Sequence, residues 1–236
     1  MIYFSILTIL ILRRKKQRTH LIFSGFFLCT IIGLIFNMIY AAITIDYIVI
    51  ILHFLSDFFV FFGLIFILIL HIIILKPPML SSVKRQNSYM IFYGILLFLG
   101  MLILILPPFE GVSIHNSRYI KWKPYFFIYS YSIVTCMAII PIFYSSFKIY
   151  FKLETEVLKR KWFYYLLGSL GLVVFVLYPY HISNLLVYIM EKNMSFLNIL
   201  WIVESILGLS VVLWVSLMYY GIVTMLDLSN IYFLLD

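Results

Sequence analysis

Seven apolar segments fill almost all of this 236-residue chain and leave little room for anything except membrane-spanning helices. A helix that crosses the hydrocarbon core of a bilayer needs about 20 apolar residues. Backbone groups in lipid must be hydrogen-bonded within the protein, so helices are the expected form of these runs. We predict an all-α membrane helix bundle with seven transmembrane helices, forming a single domain over residues 1–236. The six complete spans are His20 to about Ile43, Tyr47–Leu75, Tyr89–Leu106, Tyr125 to about Phe147, Trp162 to about Ile182, and about Leu197–Val223.

The first span is short. Only Met1–Leu12 precede the basic run that begins at Arg13. Twelve helical residues extend over roughly 18 Å, whereas the hydrocarbon core is roughly 30 Å thick. Two explanations fit this length: residues that precede Met1 in the whole protein are missing, or the first span is a half-span that thins the bilayer locally.

The basic residues predict which way the bundle is oriented. Three connections, Arg13–Arg18, Lys76–Arg85 and Lys148–Lys161, hold 13 of the 17 lysines and arginines. Short connections rich in lysine and arginine stay on the cytoplasmic side of a membrane. The alternation therefore predicts an N-terminus outside the cell and a C-terminus inside it.

Composition supports lipid as the surrounding solvent. Hydrophobic residues make up 65% of the chain and charged residues 11%, against roughly 45–50% and about 25% in a soluble domain. The net charge of +8 lies mostly in short connections, where it meets anionic lipid headgroups, and does not indicate a nucleic-acid partner. The two cysteines, Cys29 and Cys136, fall inside spans, so no disulfide framework organises the fold. We expect a multi-pass protein of the cell membrane.

Few ionisable side chains lie within the spans, and each is a functional candidate because its burial in lipid is costly. Span three carries His53, Asp57 and His71, and span seven carries Glu204. His181 lies at the outer end of span six, and Asn37 lies in the outer half of span two.

Helical geometry places the polar residues of span three on one face. His53 and Asp57 are one turn apart, and His71 returns to the same angle after five turns. Asp46 is close to that angle as well. One interpretation is that His53 and Asp57 simply pair with each other and face the bundle. We expect His71 to be an interfacial histidine near the cytoplasmic surface.

The predicted orientation puts His53, Asp57, His181 and Glu204 in the outer half of the membrane. A cluster of two carboxylates and two imidazoles that is open to the outside could serve one of three functions. It could bind a cationic or hydrogen-bonding ligand, bind a divalent metal, or hold a proton. The metal site requires all four side chains to converge. With Asn37 added, these residues are our candidates for ligand binding.

Several features concern helix shape rather than chemistry. Pro141 is expected to kink span five. The small residues Gly168 and Gly171 favour a close approach of another helix to span six.

The aromatic residues of the loop 109–124, Trp122 among them, are expected at the membrane interface. Residues 178–181 are expected to end span six there. On the charged segment before span six, Glu156 and Arg160 are spaced to pair.

Motifs of two receptor classes are absent. An acidic-Arg-aromatic triplet should close span three of a G-protein-coupled receptor, where this chain has Ile72-Ile73-Ile74-Leu75-Lys76. A microbial rhodopsin needs a retinal lysine in span seven, and none is present. The chain also has no Gly-rich phosphate loop, no zinc-finger cysteine spacing and no nucleophile elbow. We therefore predict a protein that is not an enzyme and has no cofactor.

Three stretches resemble the N-terminal seven-helix sensor region of bacterial and archaeal histidine kinases. They are the short first span followed by Arg13-Arg14-Lys15-Lys16, the entry to span six from Leu158 to Gly168, and the exit of span seven from Tyr219 to Leu228. In that family a similar segment leads into the cytoplasmic signalling module. The resemblance implies that Gly221, Leu226 and Asp227 belong to a signal-output segment. No PAS, kinase or cyclase domain follows in this sequence.

The leading hypothesis is a receptor-like sensor that binds a small extracellular or membrane-embedded ligand among spans two, three, five, six and seven. The last helix would relay binding to a cytoplasmic partner. The first alternative is a small proton-coupled transporter that uses the same carboxylates, and the second is a metal-dependent intramembrane hydrolase. The ligand, the partner and the oligomeric state stay open.

Overall fold

The bundle is helical, as the sequence predicts. The computed structural model describes residues 1–14, 18–75, 82–115, 119–190 and 193–226. Within these residues, six helices are long and apolar enough to cross a bilayer, and a shorter apolar helix lies at the N-terminus. This is the architecture of a multi-pass membrane protein with a short first helix. The prediction of six complete spans and one short span is confirmed at that level.

The elements follow the predicted spans closely: most ends extend further than predicted, whereas the second and fourth spans end one or two residues earlier. They are α1 (Ile2–Arg14), α2 (Arg18–Ala41), α3 (Asp46–Leu75), α4 (Val83–Ile105), β1 (Val112–His115), β2 (Tyr119–Trp122), α5 (Pro124–Val134), α6 (Ile140–Lys152), α7 (Glu156–Gly171), α8 (Tyr178–Ile189) and α9 (Met194–Leu226). Short π-helical segments join α5 to α6 and α7 to α8, at Thr135–Ile139 and Leu172–Leu177. The fifth and sixth spans are therefore continuous helices with a widened turn in the middle.

Each widened turn ends two positions before a proline. Pro141 and Pro179 each occupy one of the first two positions of the helix that follows a π-helical segment. Proline has no backbone N–H to donate, and a local π-helical adjustment keeps the neighbouring backbone groups bonded. This is why the expectation that residues 178–181 end span six is wrong: the helix continues to Ile189.

The third span is the central helix. Its most apolar window is 61% buried, whereas the corresponding window of α9 is only 6% buried. Helix α3 packs against α2, α4 and α6, and α9 packs mainly against α7. The polar stripe of α3 is therefore inside the protein, and α9 lies at the edge of the bundle.

Glycines bring α7 and α9 into backbone contact. A Cβ added to Gly168 would lie 2.5 Å from the backbone nitrogen of Met218, and one added to Gly221 would lie 2.5 Å from the carbonyl oxygen of Lys161. A Cβ added to Gly171 would lie 2.1 Å from the ring of Trp214. The predicted close approach of a helix to Gly168 and Gly171 is confirmed, because no larger side chain fits at these points.

The connection between α4 and α5 contains a β-hairpin that the all-α prediction missed. Strands β1 and β2 pair antiparallel, with Val112 opposite Trp122 and His115 opposite Tyr119. The expectation that Trp122 lies at the interface is wrong, because its side chain is fully buried against the helices. We call this end of the bundle the hairpin end, and the opposite end, which holds the three lysine- and arginine-rich connections, the basic end.

Candidate ligand cavity

A cavity of about 400 Å³ lies between α1, α2, α3, the π-helical segment with α8, and α9. Its walls are mostly apolar, with side chains such as Phe26, Leu64, Val176 and Val211. The polar side chains among its lining residues include Asn37, Ser56, Asp57, Tyr180, His181 and Glu204. A concave, largely apolar space with a few converging polar groups is the usual form of a small-molecule site.

The structure brings four of the five predicted ligand-binding residues to this one cavity. Asn37 comes from α2, Asp57 from α3, His181 from α8 and Glu204 from α9. The fifth, His53, does not line the cavity but touches Asp57 from one turn away. The fifth span, included in the expected ligand path, contributes none of the described lining residues, and α1 takes its place with Tyr3 and Phe4.

His53 has two neighbours that compete for one nitrogen. Its Nε2 lies 2.9 Å from Oδ2 of Asp57, and the same Nε2 accepts a hydrogen bond of 3.0 Å from the indole N–H of Trp122. A ring nitrogen that accepts carries no proton to donate. Oδ2 of Asp57 is accordingly buried without a hydrogen-bond donor from the part of the chain that the structure describes. The predicted pairing of His53 and Asp57 exists as proximity, but Trp122 occupies the atom that would neutralise the carboxylate.

His181 is buried in an aromatic shell beside this pair. Its ring lies 4.6 Å from that of Phe61 and 5.0 Å from that of Trp122, centroid to centroid. Its Nε2 is 3.9 Å from Oδ1 of Asp57, too far for a hydrogen bond, and neither of its ring nitrogens has a hydrogen-bond partner among the described residues. A buried polar group without a partner is costly. The cavity therefore contains an unpaired carboxylate oxygen next to an unpaired imidazole.

Asn37 and Glu204 stand on the other helices that line the cavity. The amide of Asn37 donates a 3.4 Å hydrogen bond to the hydroxyl of Tyr180, which also contacts the hydroxyl of Tyr40. Glu204 is half-buried and makes no hydrogen bond or ion pair with the other described residues. A carboxylate at this depth in a membrane bundle is expensive unless something pairs with it.

His71 lies in a second polar cluster near the basic end, and its expected interfacial position is wrong. The side chain is fully buried. Its Nε2 is 2.6 Å from the hydroxyl of Tyr165, and its Nδ1 is 2.8 Å from Oγ of Ser145 and 3.2 Å from the carbonyl oxygen of Ile142. Contacts from α6 and from Tyr165 of α7 cover α3 at His71, so this side chain does not reach the surface.

The suggested output segment is partly described. Gly221 lies in the contact of α9 with α7, next to Tyr165. Leu226 is the last residue of α9, and Asp227 lies outside the described residues.

The predicted pairing of Glu156 with Arg160 is wrong. Glu156 pairs instead with Lys159 at 3.0 Å, and Arg160 donates a hydrogen bond to the hydroxyl of Tyr164.

Sequence reasoning missed two residues of the site region, Trp122 and Tyr180. A signal for Trp122 was present: apolar residues alternate with polar ones in Val112–His115 and again in Tyr119–Trp122, which is the period of strands. Such a hairpin carries its alternate side chains to one face, and Trp122 is on the face that meets α3. The predicted end of span six places Tyr180 at the membrane interface, whereas the helix continues past it to Ile189.

Within the described residues, no group of three or more His, Cys, Asp or Glu side chains is arranged to hold a metal ion. The four-residue convergence that the hydrolase hypothesis requires is not formed there, since His53 stands behind Asp57. Comparisons of the chain with family models, with curated proteins and with solved structures found no match.

Proposed function

We propose that this protein is a receptor-like sensor of the cell membrane that binds a small ligand in the cavity and relays binding through α9. The observation that supports it most directly is that one cavity is lined by carboxylates from two different helices, Asp57 of α3 and Glu204 of α9. A ligand that touches both side chains has contacts with the central helix and with the edge helix at once. The affinity for such a ligand therefore depends on the position of α9 relative to α3.

The relay path is proposed from contacts near the basic end. There α9 presses Gly221 against Tyr165 of α7, and the hydroxyl of Tyr165 bonds to His71 of α3. Helices α3 and α9, which both line the cavity, are thus connected at the basic end through Tyr165 of α7. A shift of α9 at the cavity changes the contact at Gly221, and packed helices accommodate such shifts in steps of about 1–2 Å.

Helix α9 is suited to move because little of it is buried. Few buried contacts mean a small free-energy difference between alternative packings. A ligand shifts that balance only through different affinities for the two packings. In the predicted orientation the cavity opens in the outer half of the membrane, and α9 ends at the cytoplasmic side, where a signalling partner would bind. The resemblance to histidine kinase sensor regions is consistent with this direction of transfer.

The test fills the cavity with a side chain. Gly208 lines the cavity, and a Cβ added there meets nothing within 4 Å. Gly208→Phe therefore places a ring in the ligand's space, and Leu209→Phe, at a residue 79% exposed on the same helix, is the matched control. Spin labels at Phe151 and Tyr220, in a Cys136→Ser background, report the distance between α6 and α9 at the basic end.

We expect Gly208→Phe to change the mean label distance or its distribution, and Leu209→Phe to leave both as in the parent protein. Identical distributions in all three proteins would count against the relay. The measurement needs no knowledge of the natural ligand.

A second function has one specific observation in its favour. Asp57 has imidazoles on two sides, His53 and His181, and such a buried cluster is suited to hold and release a proton. Proton-coupled transport would use it. Purified protein in liposomes with an imposed pH gradient distinguishes the two functions, because only a transporter gives a proton flux that Asp57→Asn abolishes.

A further inference from the structure

The chemistry of the cavity specifies its ligand more narrowly than the proposed function does. Among the described side chains that line it, two are carboxylates and none is a lysine or arginine. The remaining surface is dominated by aliphatic and aromatic side chains. A ligand that fits such a space is apolar over most of its surface and carries positive charge at one place.

Asp57 needs a donor that the described residues do not supply. Its side chain is 2% exposed, and among those residues Oδ2 has no hydrogen-bond donor because Trp122 occupies Nε2 of His53. A buried acceptor without a donor costs free energy, more so when it is charged. Asp57 lines the cavity, so a ligand that brings positive charge there offsets the cost of the buried carboxylate on binding.

Glu204 adds the second requirement. It lines the same cavity from α9 and has no ion pair among the described residues. A neutral donor such as an alcohol satisfies one oxygen and leaves both charges uncompensated. An ammonium offers several donors and one positive charge, and it has an aromatic neighbour in Tyr180 that further favours a cation.

We infer that the cavity binds an amphipathic organic cation, a compact apolar amine whose ammonium is attracted by the carboxylates of Asp57 and Glu204. This inference rests on the proposed function in that both place the ligand in the same cavity. The apolar body lies against the walls formed by α1, α2 and the π-helical segment. A cavity of about 400 Å³ matches ligands of ordinary small-molecule size.

The probes are three molecules with one apolar cage: 1-aminoadamantane, 1-adamantanol and 1-adamantanecarboxylate. Binding to the full chain in lipid nanodiscs is measured by titration calorimetry, with empty nanodiscs to subtract partition into lipid. We expect saturable binding of the amine, and binding of the alcohol and the carboxylate weaker by about tenfold or more, because they lack the charge that the two acids require. Equal binding of the alcohol and the amine would overturn the inference, and so would the absence of saturable amine binding.

Variants locate the site. Asp57→Asn and Glu204→Gln should each weaken amine binding about tenfold or more. Asp46→Asn, which removes an exposed carboxylate from the first turn of the same α3, should leave it unchanged. Gly208→Phe should abolish amine binding with both carboxylates in place, and Leu209→Phe should not. These glycine and leucine variants keep the test decisive even if Asp57→Asn does not fold.

The label distances separate this inference from the relay. Amine binding without any change in the distance between Phe151 and Tyr220 labels would support the ligand class and reject the relay. A distance change caused by Gly208→Phe, together with no amine binding, would reject the ligand class and leave the relay standing.

Discussion

The hydroxyl of Tyr165 lies 2.6 Å from Nε2 of His71, and both side chains are completely buried. On the other side of the ring, Nδ1 faces the carbonyl oxygen of Ile142 and the hydroxyl of Ser145. Since a carbonyl oxygen only accepts, Nδ1 carries the proton and Nε2 accepts from Tyr165. Every hydrogen-bonding atom of the imidazole is used, and three helices, α3, α6 and α7, are joined by one side chain.

Tyr165→Phe should destabilise the protein. The substitution leaves Nε2 of His71 buried without a donor, a loss of about 1–3 kcal/mol. Thermal unfolding of the purified protein in nanodiscs measures it as a lower midpoint. Tyr164→Phe is the control, because Tyr164 is only half-buried and its hydroxyl accepts from the exposed Arg160. Equal midpoints for the two variants would show that the His71 hydrogen bond contributes nothing to stability.

Two glycines on α9 should respond in opposite ways to alanine. In Gly221→Ala the new Cβ would lie 2.5 Å from backbone atoms of Lys161 and Tyr165, so α7 and α9 must separate. Overpacking of this kind typically costs about 1–3 kcal/mol. In Gly208→Ala the Cβ meets nothing within 4 Å, and alanine is the better helix former by about 1 kcal/mol.

The midpoint of thermal unfolding should therefore fall for Gly221→Ala and stay level or rise for Gly208→Ala. The same two proteins, carrying labels at Phe151 and Tyr220, should differ in the distance at the basic end. A fall of equal size in both midpoints would mean that the close contact at Gly221 adds nothing to the cost of the substitution.

Much of the fold could be read from the sequence because lipid imposes simple rules on it. Length and hydropathy located the spans, and for α3 the predicted Tyr47–Leu75 differs from the observed Asp46–Leu75 by one residue. The same rules grouped Asn37, Asp57, His181 and Glu204, since depth along a helix follows from its ends. The structure places these four around one cavity.

What escaped prediction depends on how helices face each other, which hydropathy does not encode. His71 has the depth of an interfacial residue, but α6 and α7 cover it. Trp122 has the composition of an interfacial anchor, but the hairpin turns it inward onto His53. Pro179 has the character of a helix end, but the π-helical turn before it lets the helix continue.

Orientation remains a prediction that labelling can test. Glu110 and Glu154 are both exposed and lie in connections at opposite ends of the bundle. In a Cys136→Ser background, Glu110→Cys should react with a membrane-impermeant maleimide in intact cells, because the hairpin end is predicted to be outside. Glu154→Cys should react only after permeabilisation. The reverse pattern would place the cavity in the cytoplasmic half and remove the basis for an extracellular ligand.

Trp122 should control the affinity of the cavity without touching the ligand, since it does not line the cavity. Trp122→Phe keeps an aromatic ring against Phe126 and His181 but removes the N–H that occupies Nε2 of His53. That nitrogen is then free to carry a proton and donate it to Oδ2 of Asp57, 2.9 Å away. With its own donor, Asp57 gains less from an ammonium.

We therefore expect Trp122→Phe to weaken binding of 1-aminoadamantane about threefold to tenfold, the equivalent of one ordinary hydrogen bond. Trp214→Phe is the matched control: it removes an indole donor whose partner is Ser210 on α9, and Trp214 is not among the lining residues. Titration calorimetry in nanodiscs measures the amine affinity of both variants. Undiminished amine affinity in Trp122→Phe would mean that the missing donor at Asp57 is not what draws the ligand, and the charge of Glu204 would then have to account for binding alone.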